Sequence, residues 1–469
     1  MAAEGMTKIQ AIEPLPSISQ RLSLRQHLAA RACGTSLFAA DATLDLAEVA
    51  TTSRLPLAGI TPDSTILLRT KAQLGFTLAL IDLDGHAGRL ILCPPDLSAA
   101  NTLQVAIDHH VTHVYDDSTL EHLPLPQGIV RLAHGADPQP LAASQPLCDT
   151  QWLLFTSGTS GTPKLVAHSF AALTGAIAPP DASACIVWGT FYDVRRYGGL
   201  QMLLRALTGG GSMVLSQHSE PIAAFIARLS AAGVTHLAGT PSHWRQALMS
   251  RDLTKLQPRY VRLSGEIVDQ SVLDALKAAF PGVSVGHAFA STEAGVAFEV
   301  NDGLAGFPAS WLGAAGKVEM RVRNGTLHLR SGRTALAYAA AGGNLHDDEG
   351  FVDTGDLVEQ RGERMYFAGR ASGMINVGGL KVAPEEVEAV INSITDVRQS
   401  RVRARKNPLT GALVAAEVVA ATGCDEAELR GRILSACRSA LDKHKVPVSL
   451  AFVASLPMSA AGKLERRDA

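Results

Sequence analysis

Residues Thr156-Ser157-Gly158-Thr159-Ser160-Gly161-Thr162-Pro163-Lys164 alternate five hydroxyl side chains with two glycines and end on a lysine. The apolar lead-in Trp152-Leu153-Leu154-Phe155 has the length and character of a short buried strand. A strand that opens into such a loop presents backbone N–H groups, hydroxyls and one ammonium to a polyphosphate. Glycine lets the backbone approach closely and adopt unusual dihedral angles, and successive N–H groups form an anion-binding nest. The spacing is not that of a Walker A loop, where lysine directly follows the second glycine. Here Thr162 and Pro163 intervene. A flexible polar linker is the plain alternative. An ordered alternation that ends in one lysine after a strand favours the phosphate loop.

Four further stretches carry groups suited to nucleotide chemistry. His287-Ala288-Phe289-Ala290-Ser291-Thr292-Glu293 follows the strand-like Val283-Ser284-Val285. It offers a ring for base stacking, a hydroxyl for a phosphate and a carboxylate for magnesium; alone it reads equally as a strand end. In Phe351-Val352-Asp353-Thr354-Gly355-Asp356 a carboxylate behind a glycine turn can accept both hydroxyls of a ribose, although a β-turn alone looks the same. From Gly369 to Glu388 two glycine-bearing turns flank an apolar strand, and a helix then opens at Pro384 with an acidic first turn. The tail Leu456-Pro457-Met458-Ser459-Ala460-Ala461-Gly462-Lys463 places a lysine after a glycine, where it can swing into a site as a mobile cation. By itself it reads as a solvated surface lysine.

The elements that must position these groups follow from periodicity. Residues 1–20 read as irregular. Between 21 and 300 strand and helix patterns alternate, which predicts layered α/β structure. Ser64–Leu68, Arg89–Leu92, Gly211–Leu215 and Gly233–Leu237 read as strands; Ala99–His109 and the amphipathic Glu220–Ala232 read as helices. Lys317–Arg323 and Thr326–Arg330 flank Asn324-Gly325, a hairpin signal, so a β-rich module lies at about 310–369. Helices over Pro384–Ile394 and Asp425–His444 then predict a last α/β portion.

Bulk properties narrow the class. The chain has 469 residues, 46% hydrophobic and 18% charged, with formal net charge −2. No basic stripe points to nucleic acid, no apolar run is long enough for a membrane span, and no secretory signal is expected at the start. The six cysteines form no Cys-x-x-Cys pair, which fits reduced thiols in the cytoplasm.

In this order and spacing the runs resemble the adenylate-forming superfamily of acyl- and aryl-CoA synthetases, non-ribosomal adenylation domains and luciferases. The resemblance covers nearly the whole chain. It implies an adenylation core at 1–369, made of two α/β halves and a β-barrel, and a small α+β lid at 370–469 that rotates between two reactions. In the first, a carboxylate attacks the α-phosphate of ATP, giving an acyl-adenylate and pyrophosphate. In the second, a thiol displaces AMP. By position, Thr156, Ser157, Gly158, Thr159, Ser160, Gly161 and Lys164 would hold the β- and γ-phosphates. Ser264-Gly265-Glu266, His287 and Phe289 would lie beside adenine. Thr292 would touch the α-phosphate, Glu293 would hold Mg²⁺, Asp356 would bind the ribose with Arg370 nearby, and Lys463 would bridge carboxylate and phosphate. Gly378 and Gly379 would line the channel for CoA or a carrier-protein phosphopantetheine.

Two departures stand out. The hinge position two residues after Arg370 is Ser372 where the family has Asp or Lys, and the aromatic motif carries Phe289-Ala290 where Tyr-Gly is common. The resemblance places the acid pocket at Gly189–Gly199, with Phe191, Tyr192, Arg195, Tyr197 and Gly198 as its lining. Aromatics beside an arginine suggest a compact pocket for an aryl acid with a polar substituent; Arg195 and Arg196 in surface ion pairs are the alternative. The 369–388 run looks most like aryl- and short-acyl-CoA ligases. Loading of a carrier protein, amide formation and non-catalytic nucleotide binding are the competing functions. His109, His110 and His113 with Asp108, Asp116 and Asp117 resemble a metal cluster but read as a surface junction.

Overall fold

The computed structural model of the chain describes residues 22–31, 34–117, 123–133, 137–141, 148–156, 164–178, 185–217, 220–339, 344–407 and 411–465. The expected irregular N-terminus and the centre of the phosphate loop lie outside the described residues. The loop centre includes Ser157, Gly158, Thr159, Ser160 and Gly161.

Alternating apolar runs build two sheets that share one core. The seven-stranded sheet runs in the order Ala337–Tyr338, Leu165–Ser169, Gln151–Phe155, Arg89–Leu92, Thr65–Arg69, His113–Asp116, Val130–Leu132. Successive side chains point to opposite faces, so Ile66, Leu68, Leu90, Leu92, Trp152 and Leu154 enter the shared core while Leu67, Ile91 and Leu153 enter another. The eight-stranded sheet runs in the order Gly295–Val300, Ser284–Ser291, Tyr260–Ser264, His236–Gly239, Val187–Thr190, Ser212–Val214, Ser36–Phe38, Thr43–Asp45. Trp188, Met213 and Ala238 reach the shared core; Val214, Leu237, Val261 and Leu263 pack on the other face with Phe225, Trp244 and Leu276. The helices Gln73–Leu83 and Tyr197–Gly209 are buried along most of their length and contribute to the shared core. They therefore lie between the sheets.

The third body is a five-stranded antiparallel barrel sheet of Phe307–Pro308, Arg364–Arg370, Val352–Arg361, Thr326–Ser331 and Val318–Arg323. Its expected hairpin turn is present, with Asn324 at φ 52° and Gly325 at φ 81°. The lid is a sheet of Leu380–Val382, Ile375–Val377, Gly411–Ala420, Val397–Asn407 and Ser449–Phe452, covered by the helices Pro384–Asn392 and Glu426–Ala440. The latter helix ends before the expected His444; Leu441 is extended and Lys443–Lys445 forms a separate short turn. A short turn, Ala371–Gly373, joins barrel to lid, with Ser372 exposed in it. The mixed α/β class, with a large N-terminal body and a small C-terminal one, is the one the sequence predicts.

Candidate active site

The tail sets the geometry. Gly462 sits at φ +69°, and a Cβ there would lie 1.8 Å from His243 Cε1. Only glycine fits this contact. The neighbouring helix Pro241–Leu248 opens with a capping box in which the Thr240 hydroxyl takes the His243 N–H and the His243 ring takes the Thr240 N–H. Thr240 Oγ1 then donates to the Gly462 carbonyl at 2.6 Å. Glu266 fastens the other side: its carboxylate accepts from the Ser242 N–H, the Ser242 hydroxyl and the Leu464 N–H, each at 3.0 Å. Lys463 is thereby laid across Gly265, its Cε 3.4 Å from where a Gly265 side chain would begin. Burial pulls the Lys463 ammonium down from its usual range; the carboxylates of Glu266, Asp356 and Glu293 oppose that, and the Arg370 charge reinforces it. One cation thus stands among the charges expected to surround a nucleotide.

The other groups converge from different elements. Arg370, last residue of its barrel strand, donates to Asp356 at 3.0 Å and to the Thr354 carbonyl at 3.2 Å. Burial works against the Arg370 charge, but Asp356, Glu293 and Glu385 more than offset it and raise its pKa. Thr292 and Glu293 occupy the turn between Ser284–Ser291 and Gly295–Val300. The Thr292 carbonyl pairs with His168 Nε2 at 2.8 Å, and the Glu293 carbonyl accepts the Ala335 N–H at 2.9 Å. Burial pushes His168 down to about 4, so its ring is neutral and Nε2 donates. Thr156 and Lys164 close the phosphate loop through the Thr156 N–H and the Lys164 carbonyl at 2.9 Å. The Lys164 ammonium lies 5.7 Å from the centre of the Tyr338 ring, whose phenol in turn feels burial and the Glu293 charge. Among the described residues no three side chains gather as metal ligands. A single carboxylate at Glu293 fits a magnesium ion that keeps phosphate oxygens and water as its other ligands.

Several expected site residues are committed elsewhere. The His287 ring is buried and pairs with the Leu304 carbonyl at 2.9 Å. Phe289 stacks on Phe367, with centroids 4.8 Å apart, and on Phe298. It is half-buried, so a base reaches only the ring surface these leave open. Phe191 packs on His243 and Trp244. The Tyr192 hydroxyl is bonded to Ser264, and a Cβ on Gly198 would touch the Tyr192 ring at 3.4 Å. Both rings therefore brace the tail-docking region. Gly378 and Gly379 form the exposed turn of the lid hairpin, at φ 60° and 91°, with open space around Gly379. A two-residue turn with both φ positive itself requires glycine. Two carboxylates of the histidine cluster near 109 are engaged by other groups. Asp116 is held by Arg69 and Arg131, and Asp117 takes the Lys71 and Ala72 N–H groups.

Arg195 is neither a pocket residue nor a surface one. Its side chain is fully buried, paired with both Asp193 oxygens and with the Thr70 and Lys71 carbonyls. Arg196, in contrast, pairs with Asp96 nearer the surface. Arg195→Leu is expected to lower stability by about 3–5 kcal/mol, because it leaves the Asp193 charge and two carbonyls unpaired. Urea unfolding measures this. A variant as stable as the parent but with altered acid preference would return Arg195 to the pocket.

Thr240, Ser242, His243 and His168 lie outside the chemistry-bearing motifs of the sequence. The signal for the first three was the capping pattern Thr240-Pro241-Ser242-His243; His168 had none.

Residues 70–326 match the family profile described as AMP-binding enzyme, and residues 386–463 match that of the AMP-binding enzyme C-terminal domain. The chain belongs to the AMP-binding, adenylate-forming enzymes. It is 25% identical to tyrocidine synthase 3 of Brevibacillus parabrevis over 70% of its own length, but spans only 5% of that protein. It is 26% identical to a fatty acid–[acyl-carrier-protein] ligase of Mycobacterium marinum, with 70% of this chain and 68% of the relative covered. A 2-succinylbenzoate–CoA ligase of Bacillus pumilus is 26% identical, with 68% of each covered. Among solved structures, the anthranilate CoA ligase AuaEII in complex with anthranoyl-AMP superposes with TM-score 0.79 at 18% identity, covering 95% of this chain and 96% of the other. The amide bond synthetase McbA of Marinactinospora thermotolerans gives 0.76 at 19%, covering 94% and 97%. These structural likenesses establish the fold of this AMP-binding enzyme.

Proposed function

We propose that this AMP-binding enzyme is an ATP-dependent carboxylate-activating ligase that forms an acyl-adenylate and passes the acyl group to a thiol, with CoA as the acceptor. The observation that carries the reading is the seating of Lys463 over Gly265, among Glu266, Glu293, Asp356 and Arg370. MgATP supplies the electrophilic α-phosphorus and the pyrophosphate leaving group. Asp356, aligned by Arg370, grips the ribose hydroxyls. Glu293 would hold the magnesium ion, and His168 fixes the backbone of the Thr292-Glu293 turn through the Thr292 carbonyl. Lys463 draws the substrate carboxylate to the phosphate and offsets the negative charge that accumulates there. Lys164 and the hydroxyl loop steady the departing phosphates.

Asp356→Ala is expected to raise KM for ATP by roughly 10- to 100-fold, since a charged hydrogen bond contributes about 1.5–3 kcal/mol. Unchanged ATP saturation would remove Asp356 from the ribose.

Support for CoA as the acceptor comes from the name of the 2-succinylbenzoate–CoA ligase relative and from the aryl-type 369–388 run; the fatty acid relative's name points instead to a carrier protein. Pyrophosphate release over aryl, fatty and amino acids tests the activating step. AMP release with free CoA, against a carrier protein bearing phosphopantetheine, tests the acceptor. No pyrophosphate with any acid would defeat the ligase reading.

A further inference from the structure

The tail that carries Lys463 is a small hairpin. Met458 and Leu464 bridge across it. The Ser459 N–H donates to the Lys463 carbonyl, and the Gly462 N–H closes the turn on the Ser459 carbonyl, each at 2.8 Å. At the base of the hairpin the Glu465 N–H donates to the Pro457 carbonyl at 3.1 Å. An antiparallel pair at such a position normally exchanges two bonds. Here the second cannot form, because proline has no N–H to return to the Glu465 carbonyl.

Arg401 supplies the missing donor. Its Nη1 lies 2.8 Å from the Glu465 carbonyl oxygen. Glu417 aims the guanidinium, with Nε and Nη2 both donating to Glu417 Oε2 at 2.8 and 2.5 Å. Arg401 and Glu417 stand directly opposite each other on the paired strands Val397–Asn407 and Gly411–Ala420, so their side chains share a face. Val402, next along the strand, turns to the other face and enters the core of the C-terminal body. Its N–H donates to Glu388 at 2.7 Å, which ties this strand to the helix Pro384–Asn392. The other Glu417 oxygen takes Arg403 Nε at 3.2 Å. Arg401 is 7% exposed. A buried guanidinium with its charge matched and its fork engaged on both sides is held in one geometry.

The hairpin is therefore attached at two ends to two bodies. Its tip meets the core through Thr240 and Glu266. Its base meets the sheet of the C-terminal body through Arg401. Lys463 lies between the two attachments. Arg401, Glu417 and Glu465 all belong to the C-terminal body, so the base contact does not depend on docking against the core.

We propose that Arg401 is a positioning residue for the adenylation step: by completing the base of the tail hairpin it fixes the reach and direction of Lys463 before the tip docks. The inference rests on the ligase reading, since Arg401 acts only through Lys463. Without Arg401 the base of the hairpin opens, docking must order the tail as well as seat it, and the ammonium reaches the phosphate in fewer encounters.

Arg401→Met removes the donors and keeps an apolar stem; Arg401→Lys keeps the charge but replaces the fork with one nitrogen. Thermal melting first confirms that each variant is folded. Glu417→Gln, which loosens the aim of Arg401 without removing it, takes the place of Arg401→Met if that variant is not. Three measurements follow: pyrophosphate release with an acid the parent turns over, acyl transfer to CoA from the supplied adenylate of that acid, and amide hydrogen exchange of residues 457–465. Arg401→Met should lower kcat for pyrophosphate release roughly 10- to 100-fold, the range of one charged hydrogen bond. KM for ATP and the rate of acyl transfer should stay near parent values, and the tail amides should exchange faster. Arg401→Lys should recover part of the loss. In the Lys463→Ala background Arg401→Met should cost nothing more, because the residue it positions is gone. A parent-like rate in Arg401→Met, equal loss in both half-reactions, or further loss in the Lys463→Ala background would overturn the positioning role and leave the ligase reading intact. No pyrophosphate from the parent with any acid would defeat the ligase reading instead. Hydrogen exchange then judges the clamp by itself: faster tail exchange in Arg401→Met upholds it, and unchanged exchange removes it.

Discussion

Lys463→Ala is expected to slow pyrophosphate release roughly 100- to 1000-fold, the usual cost of one preorganised charge contact at a reacting centre. Acyl transfer from a supplied acyl-adenylate should stay near the parent rate. The asymmetry comes from position. Lys463 belongs to a C-terminal body that meets the core through the tail, through the helix Pro384–Asn392, where Glu385 meets Gly369, and through the strand Val397–Asn407 against the helix Pro241–Leu248. In the conformation described, the ammonium feels the charges of Glu266, Arg370, Asp356 and Glu293, and the Gly378-Gly379 turn is out in solvent. On the proposed mechanism this arrangement would serve adenylation, and the lysine would have no further task once the adenylate exists and the C-terminal body turns. Single-turnover assays of each half-reaction decide the matter, and equal damage to both would sink the assignment. Stability should change little: burial already disfavours the lysine charge, so its removal relieves a cost as well as losing contacts.

How much of this was legible in the residues depends on how far apart the partners lie in the chain. The phosphate-loop strand, the barrel hairpin at Asn324-Gly325 and the helix opening at Pro384 are local signals, and each lies where its pattern predicts. Asp356 and Arg370 face each other across one antiparallel strand pair. Arg195 could not be placed from its spacing. A guanidinium in an aromatic segment reads as a pocket residue, and only the fold brings the Thr70 and Lys71 carbonyls to it from 124 residues or more away. The tail lock is the extreme case, since Thr240 and Gly462 are separated by 222 positions.

That lock yields the second large effect. Gly462→Ala is expected to reproduce the adenylation defect of Lys463→Ala while leaving Lys463 in the chain. Two costs act together. The left-handed φ of +69° disfavours any Cβ by about 1 kcal/mol. The larger cost is steric, because the new methyl would stand 1.8 Å from the His243 ring. That ring cannot retreat. Phe191 stacks on it, Tyr192 meets it edge-on and Thr240 holds its Nδ1. The tail must then lift, and Thr240 and Glu266 lose the Gly462 carbonyl and the Leu464 N–H. With its neighbour displaced, Lys463 no longer reaches the phosphate, so the double variant Gly462→Ala/Lys463→Ala should be no worse than either single one. Acyl transfer from a supplied adenylate should persist, since that step does not use the lock. The decisive control removes the obstacle instead of the tail: His243→Ala in the Gly462→Ala background opens the space the methyl needs. Pyrophosphate release should recover at least tenfold over Gly462→Ala alone, a gain of about 1.4 kcal/mol or more. Failure to recover, in a folded double variant, would mean that backbone strain rather than the histidine contact governs how the lysine is delivered.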